Sequence, residues 1–328
     1  MSSINTNSSA MLALQSLAAT NKALDTTQSR ISTGYRVAEA SDNAAYWSIA
    51  TTMRSDNKAL STVQDSLGLG ASKVDTAYTG MNKAIETVNE IKTKIVSAVG
   101  ATDSDKSKIQ TEISALQSQL KAYADAATFS GANYLSVDST SATVAGTADD
   151  AKVVSAFNRD ASGVASVTTI DIDVDSLKLY EAYATATNVQ SGILDGLRLG
   201  TSGARDNTAA AATGGTVAAT DGYAVSTLTV EGFNDAQLGQ MLTAVETALA
   251  EMTDAATTLG ATKSRIDLQK EFTSSLMDSI DRGVGQLVDA DMTEESSRLS
   301  ALQTQQQLGI QALSIANSNS QNILSLFR

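Results

Sequence analysis

LGQMLTAVETALAEMTDAATTLGATKSRIDLQKEFTSSLMDSIDRGVGQL, residues 238–287, is the stretch whose reading decides the fold. Leu238, Leu242, Val245, Leu249, Met252, Ala256, Leu259, Lys263, Ile266, Lys270, Thr273, Met277, Ile280, Val284 and Leu287 follow one another at alternating steps of four and three. An α-helix puts such residues on one stripe, so this stretch reads as a long helix with a partner helix along its length.

Two further seams lie upstream. Leu67, Ala71, Val74, Tyr78, Met81, Ile85, Val88, Lys92, Ile95 and Val99 keep the same alternation, with Gly68 and Gly70 reading as a local irregularity in the helix. Gly100 ends this seam, Ser104 or Asp105 restarts a helix, and Ile109, Ile113, Leu116, Leu120, Tyr123 and Ala127 form the next seam. A short connection between matched seams predicts an antiparallel helical pair. Nearer the start, Ala10, Leu17, Leu24 and Ile31 stand seven apart with Leu14 between, and Ser32-Thr33-Gly34 closes that helix. Ser41-Asp42 offers an N-cap for the tract that follows, and a last helix runs from about Met292.

From residue 136 the period changes to two. Thr169 to Asp175 alternates polar with apolar and predicts a half-exposed strand, Ala151 to Phe157 is its candidate partner, and Ser226 to Val230 a further strand. Gly192 to Ala224, rich in Gly, Ala, Thr and Asp, reads as a small surface insertion. The fold class is therefore mainly α, a long helical coiled-coil bundle from both chain ends with a small β-hairpin region and a short variable insertion.

Composition narrows the function. The chain has no proline, cysteine or histidine, a single tryptophan (Trp47) and 4% aromatic residues among 328. Proline-free sequence suits long uninterrupted helices. Without Cys and His there is no thiolate nucleophile, no Ser-His-Asp triad and no His-bound zinc, so no catalytic, cofactor-binding or metal residue is assigned and no enzyme expected. A net charge of −13 argues against nucleic acid or an anionic membrane as partner. The N-terminus has no basic n-region or apolar h-region of a Sec signal, and nowhere do 18 apolar residues run together.

Acidic clusters do not read as cation sites. Asp171, Asp173 and Asp175 lack the Gly and Glu of an EF-hand loop, with Ser176 and Ala182 in those places, and fit the wet face of a strand. Gly68-Leu69-Gly70 lacks the third glycine of a nucleotide loop. Asp289 and Asp291 read as charges at the start of a helix.

The ends differ from ordinary surface helices. No side chain before Lys22 is charged, and none between Arg298 and Arg328. Asn, Gln, Ser and Thr fill the positions between apolar residues. Water-facing helices normally carry Lys, Glu and Arg, so these ends read as surrounded by protein, most simply by other copies of the chain. An intramolecular coiled coil is the alternative, against which Gln28, Gln306, Gly309 and Ser320 stand as polar seam positions.

Specific motifs name a family. Ser32-Thr33-Gly34-Tyr35-Arg36-Val37, with Asp42-Asn43-Ala44-Ala45 and Ile49-Ala50, resembles the pattern L-S-[ST]-G-x-R-I … D-[DN]-A-A-G-L-x-I-A of bacterial flagellin. Leu259-Gly260-Ala261, Ser264-Arg265-Ile266, Val288-Asp289-Ala290-Asp291, Ala316-Asn317 and Gln321 to Arg328 are similar to its last quarter, and Phe129-Ser130-Gly131 and Thr169 to Val174 to its inner domain. Tyr46-Trp47 departs from the usual Gly-Leu and Glu39 from the usual Ser.

The resemblance implies an extracellular filament subunit for swimming motility, exported unfolded through the flagellar secretion channel. It implies an inner layer of residues 1–42 with 287–328, a surrounding helical section of 43–177 with 226–286, and an outer insertion at 178–225. Partners would be further copies of itself, other flagellins, an export chaperone, the filament cap and hook-junction proteins. Leu14, Leu17, Leu24, Ile31, Leu302, Leu313, Ile323, Leu324, Leu326 and Phe327 are the expected polymerisation residues, with residues 1 to about 40 and 290–328 ordering only on assembly. A hook–filament junction protein shares such ends and is the rival within this class; the zinc-peptidase variant of the family is excluded by the absence of histidine. Ser29 to Ala50 matches the stretch read by plant immune receptors, with Gly34, Arg36, Asp42, Asn43, Tyr46 and Trp47 as its marked positions. Glu90 reverses the positive charge that animal receptors meet on the first long helix, which implies weak activation of them.

Overall fold

The structure, a computed structural model, describes residues 7–138, 150–160, 162–181, 191–206 and 209–326, the side chains of the last helix only to residue 318. Five helices carry most of it: α1 (Ser8–Thr33), α2 (Ala44–Ala98), α3 (Asp103–Ala126), α4 (Asp235–Val288) and α5 (Met292–Leu326). The chain falls into two compact units, residues 1–59 with 276–328, and residues 60–275.

The seam at 238–287 is one face of α4, and of its residues only Lys270 is exposed. In α2 the complementary seam is closed off completely at Leu67, Val74, Met81, Val88 and Ile95. Within residues 60–275 the two helices run antiparallel, tied by Lys92 to Glu246 at 3.0 Å and by a short Lys263–Asp75 pair. The α3 seam adds Ile113 and Leu120 to the same core, and Lys94 on α2 meets Glu112 on α3 at 2.5 Å. Each such buried side chain contributes about 1.5–3 kcal/mol.

Helix ends follow capping chemistry, with some shifts from the sequence reading. Gly34 closes α1 in the left-handed region, at φ 77°. Val99 drops out of its seam and is exposed because α2 ends at Ala98, the chain turning through Gly100 at φ 73°. Thr102, not Ser104 or Asp105, caps α3 by accepting from the Asp105 amide. Asn43, not Ser41-Asp42, starts α2: its Oδ1 accepts the Tyr46 amide at 3.1 Å, while Asp42 Oδ2 accepts Ala38 and Glu39 amides and shapes the preceding turn.

The described residues between α3 and α4 are laid over this helical core. β1 (Thr128–Phe129) pairs with β2 (Ala132–Asn133), and β3 (Ser136–Val137) lies parallel to β6 (Tyr180–Glu181). The hairpin forms as expected, from β4 (Ala151–Arg159) and β5 (Ala165–Ile172), registered Ala151↔Ile172 to Arg159↔Ala165. Val153, Ile170 and Ile172 face the core while Thr169 and Asp171 stay wet. Helix α2 passes through Gly68-Leu69-Gly70 without a break. Gly70 is there for the hairpin: a Cβ on it would sit 2.4 Å from Val153 Cγ1, whereas one on Gly68 meets nothing.

One expectation fails. Ser226 to Val230 is not a strand; a 3-10 turn (Val225–Thr227) leads into extended chain whose polar groups are met by α3 glutamines. Gln117 Nε2 donates to the Val225 and Leu228 carbonyls, each at 2.9 Å, and Gln110 Oε1 accepts the Val230 amide at 2.8 Å. The described residues between Gly192 and Ala224 form the expected short elements, with more buried bulk than their composition suggests. Ile193, Leu194 and Tyr223 are buried, and β7 (Arg198–Leu199), β8 (Ala210–Ala211) and β9 (Asp221–Tyr223) form a small sheet. Side chains stand in for the sheet neighbours and apolar bulk that the local sequence lacks.

A buried ion network holds residues 191–206 to α4. Arg198 is 0% exposed; its guanidinium meets Glu251 in a fork at 2.8 and 2.7 Å and also donates to the Ile193 and Gly203 carbonyls. Arg205 reaches the same carboxylate at 3.1 Å. Burial pushes the Glu251 carboxyl up, but hydrogen bonds and charge from Arg198 and then Arg205 outweigh it and hold it below the ordinary range. Buried Lys178 likewise lies between Asp175, at 2.7 Å, and Glu181, at 3.2 Å.

Two measurements test this packing. In urea unfolding, Gly70→Ala is expected to cost about 1–3 kcal/mol through the clash with Val153, while Gly68→Ala, two residues away, is neutral or stabilising by up to about 1 kcal/mol. Glu251→Ala strands a buried guanidinium and is expected to cost about 3 kcal/mol at pH 7. A depressed carboxylate stabilises above its unfolded value and ceases to as pH falls through its folded one, so that deficit should shrink below about pH 4.

Candidate assembly surface

In the unit formed by residues 1–59 and 276–328, α1 and α5 pack as an antiparallel pair. Asn7 Nδ2 donates to the Ala316 carbonyl at 2.9 Å, Gln306 Nε2 to Asn21 Oδ1 at 2.8 Å, and Arg30 Nη1 to Glu295 Oε1 at 3.1 Å. The inner seam of α1 runs Ala10, Ala13, Leu17, Thr20, Leu24, Thr27 and Ile31, and that of α5 runs Glu295, Leu299, Leu302, Gln306, Gly309, Leu313 and Ala316.

The polar seam positions therefore do not prevent an intramolecular pair; they shape it. Gln306 is satisfied across the interface by Asn21, and Gly309 makes room for Leu17, whose Cδ1 would lie 2.9 Å from a Cβ there. Gln28 is exposed, and Ser320 lies outside the described side chains. Leu24 and Thr27 are buried in the pair. Leu17, Ile31, Leu302 and Leu313 are half-buried along it, and Leu14 is on the outside, Ala13 holding its expected place in the seam. The side chains of Ile323, Leu324 and Leu326, and all of Phe327, fall outside the described residues.

What the seam reading missed is the exterior of the pair. Met11 and Leu12 on α1, and Leu308, Ile310 and Ile315 on α5, are exposed, Leu12 to 69% and Ile315 to 63%. A heptad search selects the residues that pair the two helices, so apolar residues lying off the heptad escape it. Here those residues lie around the outside of the pair, on surface that carries no charge, where water would favour Lys or Glu.

The segment joining α1 to α2 is fixed against the start of the return chain. Gly34 accepts the Ala290 amide at 2.9 Å, Arg36 donates its amide to the Val288 carbonyl at 2.6 Å and its guanidinium to Leu287 at 3.1 Å. Val37, Ala50, Val284 and Val288 make a small core beneath, and Arg54 stacks 4.6 Å over the Tyr35 ring. Asp291 caps α5 by accepting the Thr293 and Glu294 amides, the bonds that hold its carboxyl below the ordinary range. Gly34, Arg36, Asp42 and Asn43 thus have structural tasks, while Tyr46, Trp47 and Ile49 stand exposed at the start of α2. Glu90 is exposed on α2 in the other unit.

Among the described residues there is no cluster of His, Cys, Asp or Glu that could hold a metal, and no helix is long and apolar enough to cross a membrane. Comparison with known proteins matches residues 4–140 to the bacterial flagellin N-terminal helical region and residues 242–327 to the bacterial flagellin C-terminal helical region. A flagellin of Brucella melitensis biotype 1 is 50% identical over 328 residues, covering all of both chains. Flagellin C of Rhizobium meliloti (strain 1021) is 49% identical over 330 positions, and flagellin A of Rhizobium meliloti 45% over 401, each again across both whole chains.

Gly309→Val should force Leu17 out of the seam. Overpacking costs about 1–3 kcal/mol, so amide hydrogen exchange through residues 8–33 and 292–318 of the assembled protein is expected to quicken by about tenfold or more. Gly283→Ala, whose added methyl meets nothing, should leave it unchanged.

Proposed function

We infer from a chain that belongs to the bacterial flagellin family how its parts divide the work of building a filament. It is a structural subunit of the bacterial flagellar filament, not an enzyme, and its place is outside the cell in that filament. Its partners in the filament are further flagellin subunits.

The polymerisation surface is the outer face of the α1–α5 pair. The observation that carries this is the charge-free exterior with Met11, Leu12, Leu14, Leu308, Ile310 and Ile315 turned outward. Leu17, Leu24, Ile31, Leu302 and Leu313 act with them by holding the pair together, and the sequence assigns Ile323, Leu324, Leu326 and Phe327 to the same polymerisation role. In a packed tube the Asn, Gln and Ser between them hydrogen-bond laterally, where a lone charge would lose several kcal/mol of hydration.

Residues 1–42 with 287–328 form the inner layer of the subunit in this reading, and residues 43–177 with 226–286 the helical section around it. Residues 178–225 are an insertion on that section. Export unfolded through the flagellar channel, escort by a chaperone at α5, and addition beneath a cap beyond a hook junction complete the reading. It is supported by the absence of cysteine and by a terminal pair with too little burial to be stable alone. Immune recognition of residues 29–50 is incidental to their structural task, and Glu39, Tyr46 and Trp47 weaken it, while Glu90 weakens recognition of the separate stretch on α2 that animal receptors read.

Hydrogen exchange on monomer and filament tests the assembly surface. Residues 8–33 and 292–318 are expected to exchange within seconds in the monomer and to be protected by at least about a hundredfold in the filament, as for segments that order on binding. Equal protection in both states would refute it.

A further inference from the structure

Among the described residues of the unit formed by 1–59 and 276–328, one charged side chain is buried: Glu295, 5% exposed, at the base of the α1–α5 pair. Its Oε1 accepts from Arg30 on α1 and from Arg298 one turn along α5, each at 3.1 Å. Both arginines are only partly covered, and Arg298 also reaches exposed Glu294 at 2.8 Å. The hydrogen bonds of Asn7 with Ala316 and of Asn21 with Gln306 are neutral. A buried carboxylate is costly wherever its cation is missing, so this cluster constrains the pair more sharply than they do.

Apolar packing does not by itself demand the observed alignment. Both seams repeat every seven residues, so α1 moved one heptad along α5, about 10 Å, presents the same face again. Leu24 would then stand over Gly309 where Leu17 now does, Ile31 over Leu302, and Gln28 would bring an amide to Gln306 in place of Asn21. The losses fall at the two ends. Leu14 would replace Asn7 and forgo one neutral bond to a helix carbonyl. Val37, beyond the helix end at Gly34, would replace Arg30 and leave buried Glu295 without a cation on α1.

We propose that Glu295, through Arg30, is the positioning residue that sets the register of α1 on α5. Backbone bonds of Gly34 with Ala290 and of Arg36 with Val288 hold the chain just outside the helices, and the ion pair carries that alignment into them. One buried polar group is enough to fix the register of paired helices. The consequence lies on the exterior. With Leu17 at Gly309 and Asn7 at Ala316, Met11 and Leu12 stand near the level of Ile315, whereas one heptad away they would stand near residue 322. The register thus composes the exposed apolar surface. The proposal rests on the filament reading, whose terminal surface it accounts for.

The absence of cysteine allows a direct test. Two reporter pairs are assembled into filaments and mildly oxidised: Ala13→Cys with Leu313→Cys reads the present register, and Thr20→Cys with Leu313→Cys the displaced one. A link within one chain closes nearly all of it into a loop and runs ahead of the open chain on a denaturing gel, apart from links between chains. The first pair is expected to link about tenfold faster than the second, and Glu295→Leu to narrow that ratio about fivefold by speeding the second. Leu299→Ala, which loosens the pair away from the cluster, is expected to keep the ratio. An unchanged ratio in Glu295→Leu, or an equal narrowing in Leu299→Ala, overturns the proposal, because a merely stabilising residue moves both links together. If Glu295→Leu does not assemble, Arg30→Gln is read in the same way. Loss of assembly in both also overturns the proposal, since a register lock chooses between packings and is not needed for packing itself. Failure of the unmodified chain to polymerise would instead strike the filament reading.

Discussion

Apolar side chains spaced alternately four and three apart, buried between antiparallel helices, are the constraint on which everything else depends. Leu67, Val74, Met81, Val88 and Ile95 on α2 and Val245, Met252, Leu259 and Ile266 on α4 leave no solvent between them. With few aromatic residues available, the core is built from length rather than thickness, many small burials in series. Long helices without proline are what make the series possible.

Around that core, polar side chains do what local sequence cannot. The described residues between 191 and 234, rich in Gly, Ala, Thr and Asp, form only short strands, and much of their remaining backbone is met by side chains from the helices. Gln110 and Gln117 serve the stretch after Val225, and buried Gln237 spans Thr213, Thr216 and Gly215. Arg198 and Glu251 fix residues 191–206 in the same way, with glycines at 200 and 203 letting the strap approach α4 closely. These interactions are specific because a buried donor or charge left unmet is costly.

The family and its filament role follow from the sequence motifs, and the structure refines which residues touch what. Heptad reading found Leu17, Leu24, Ile31, Leu302 and Leu313, which are the residues that join α1 to α5. It took Gln306 and Gly309 as obstacles to that pairing, although a hydrogen bond to Asn21 and room for Leu17 make them its fittings. It passed over Met11, Leu12, Leu308, Ile310 and Ile315 because their significance is exposure, and exposure depends on which neighbour takes the other side.

By itself the sequence determined the helices, their seams, the hairpin of Ala151–Arg159 with Ala165–Ile172, and the charge-free ends, because periodicity and solvation are local properties of the chain. Only the tertiary structure decided that residues 225–230 pair with glutamines instead of a strand, that Gly70 is a seat for Val153 and not a flaw in α2, and that Arg198 is buried at all. Those outcomes turn on atoms brought together from distant parts of the chain, and no local pattern carries the distance between them.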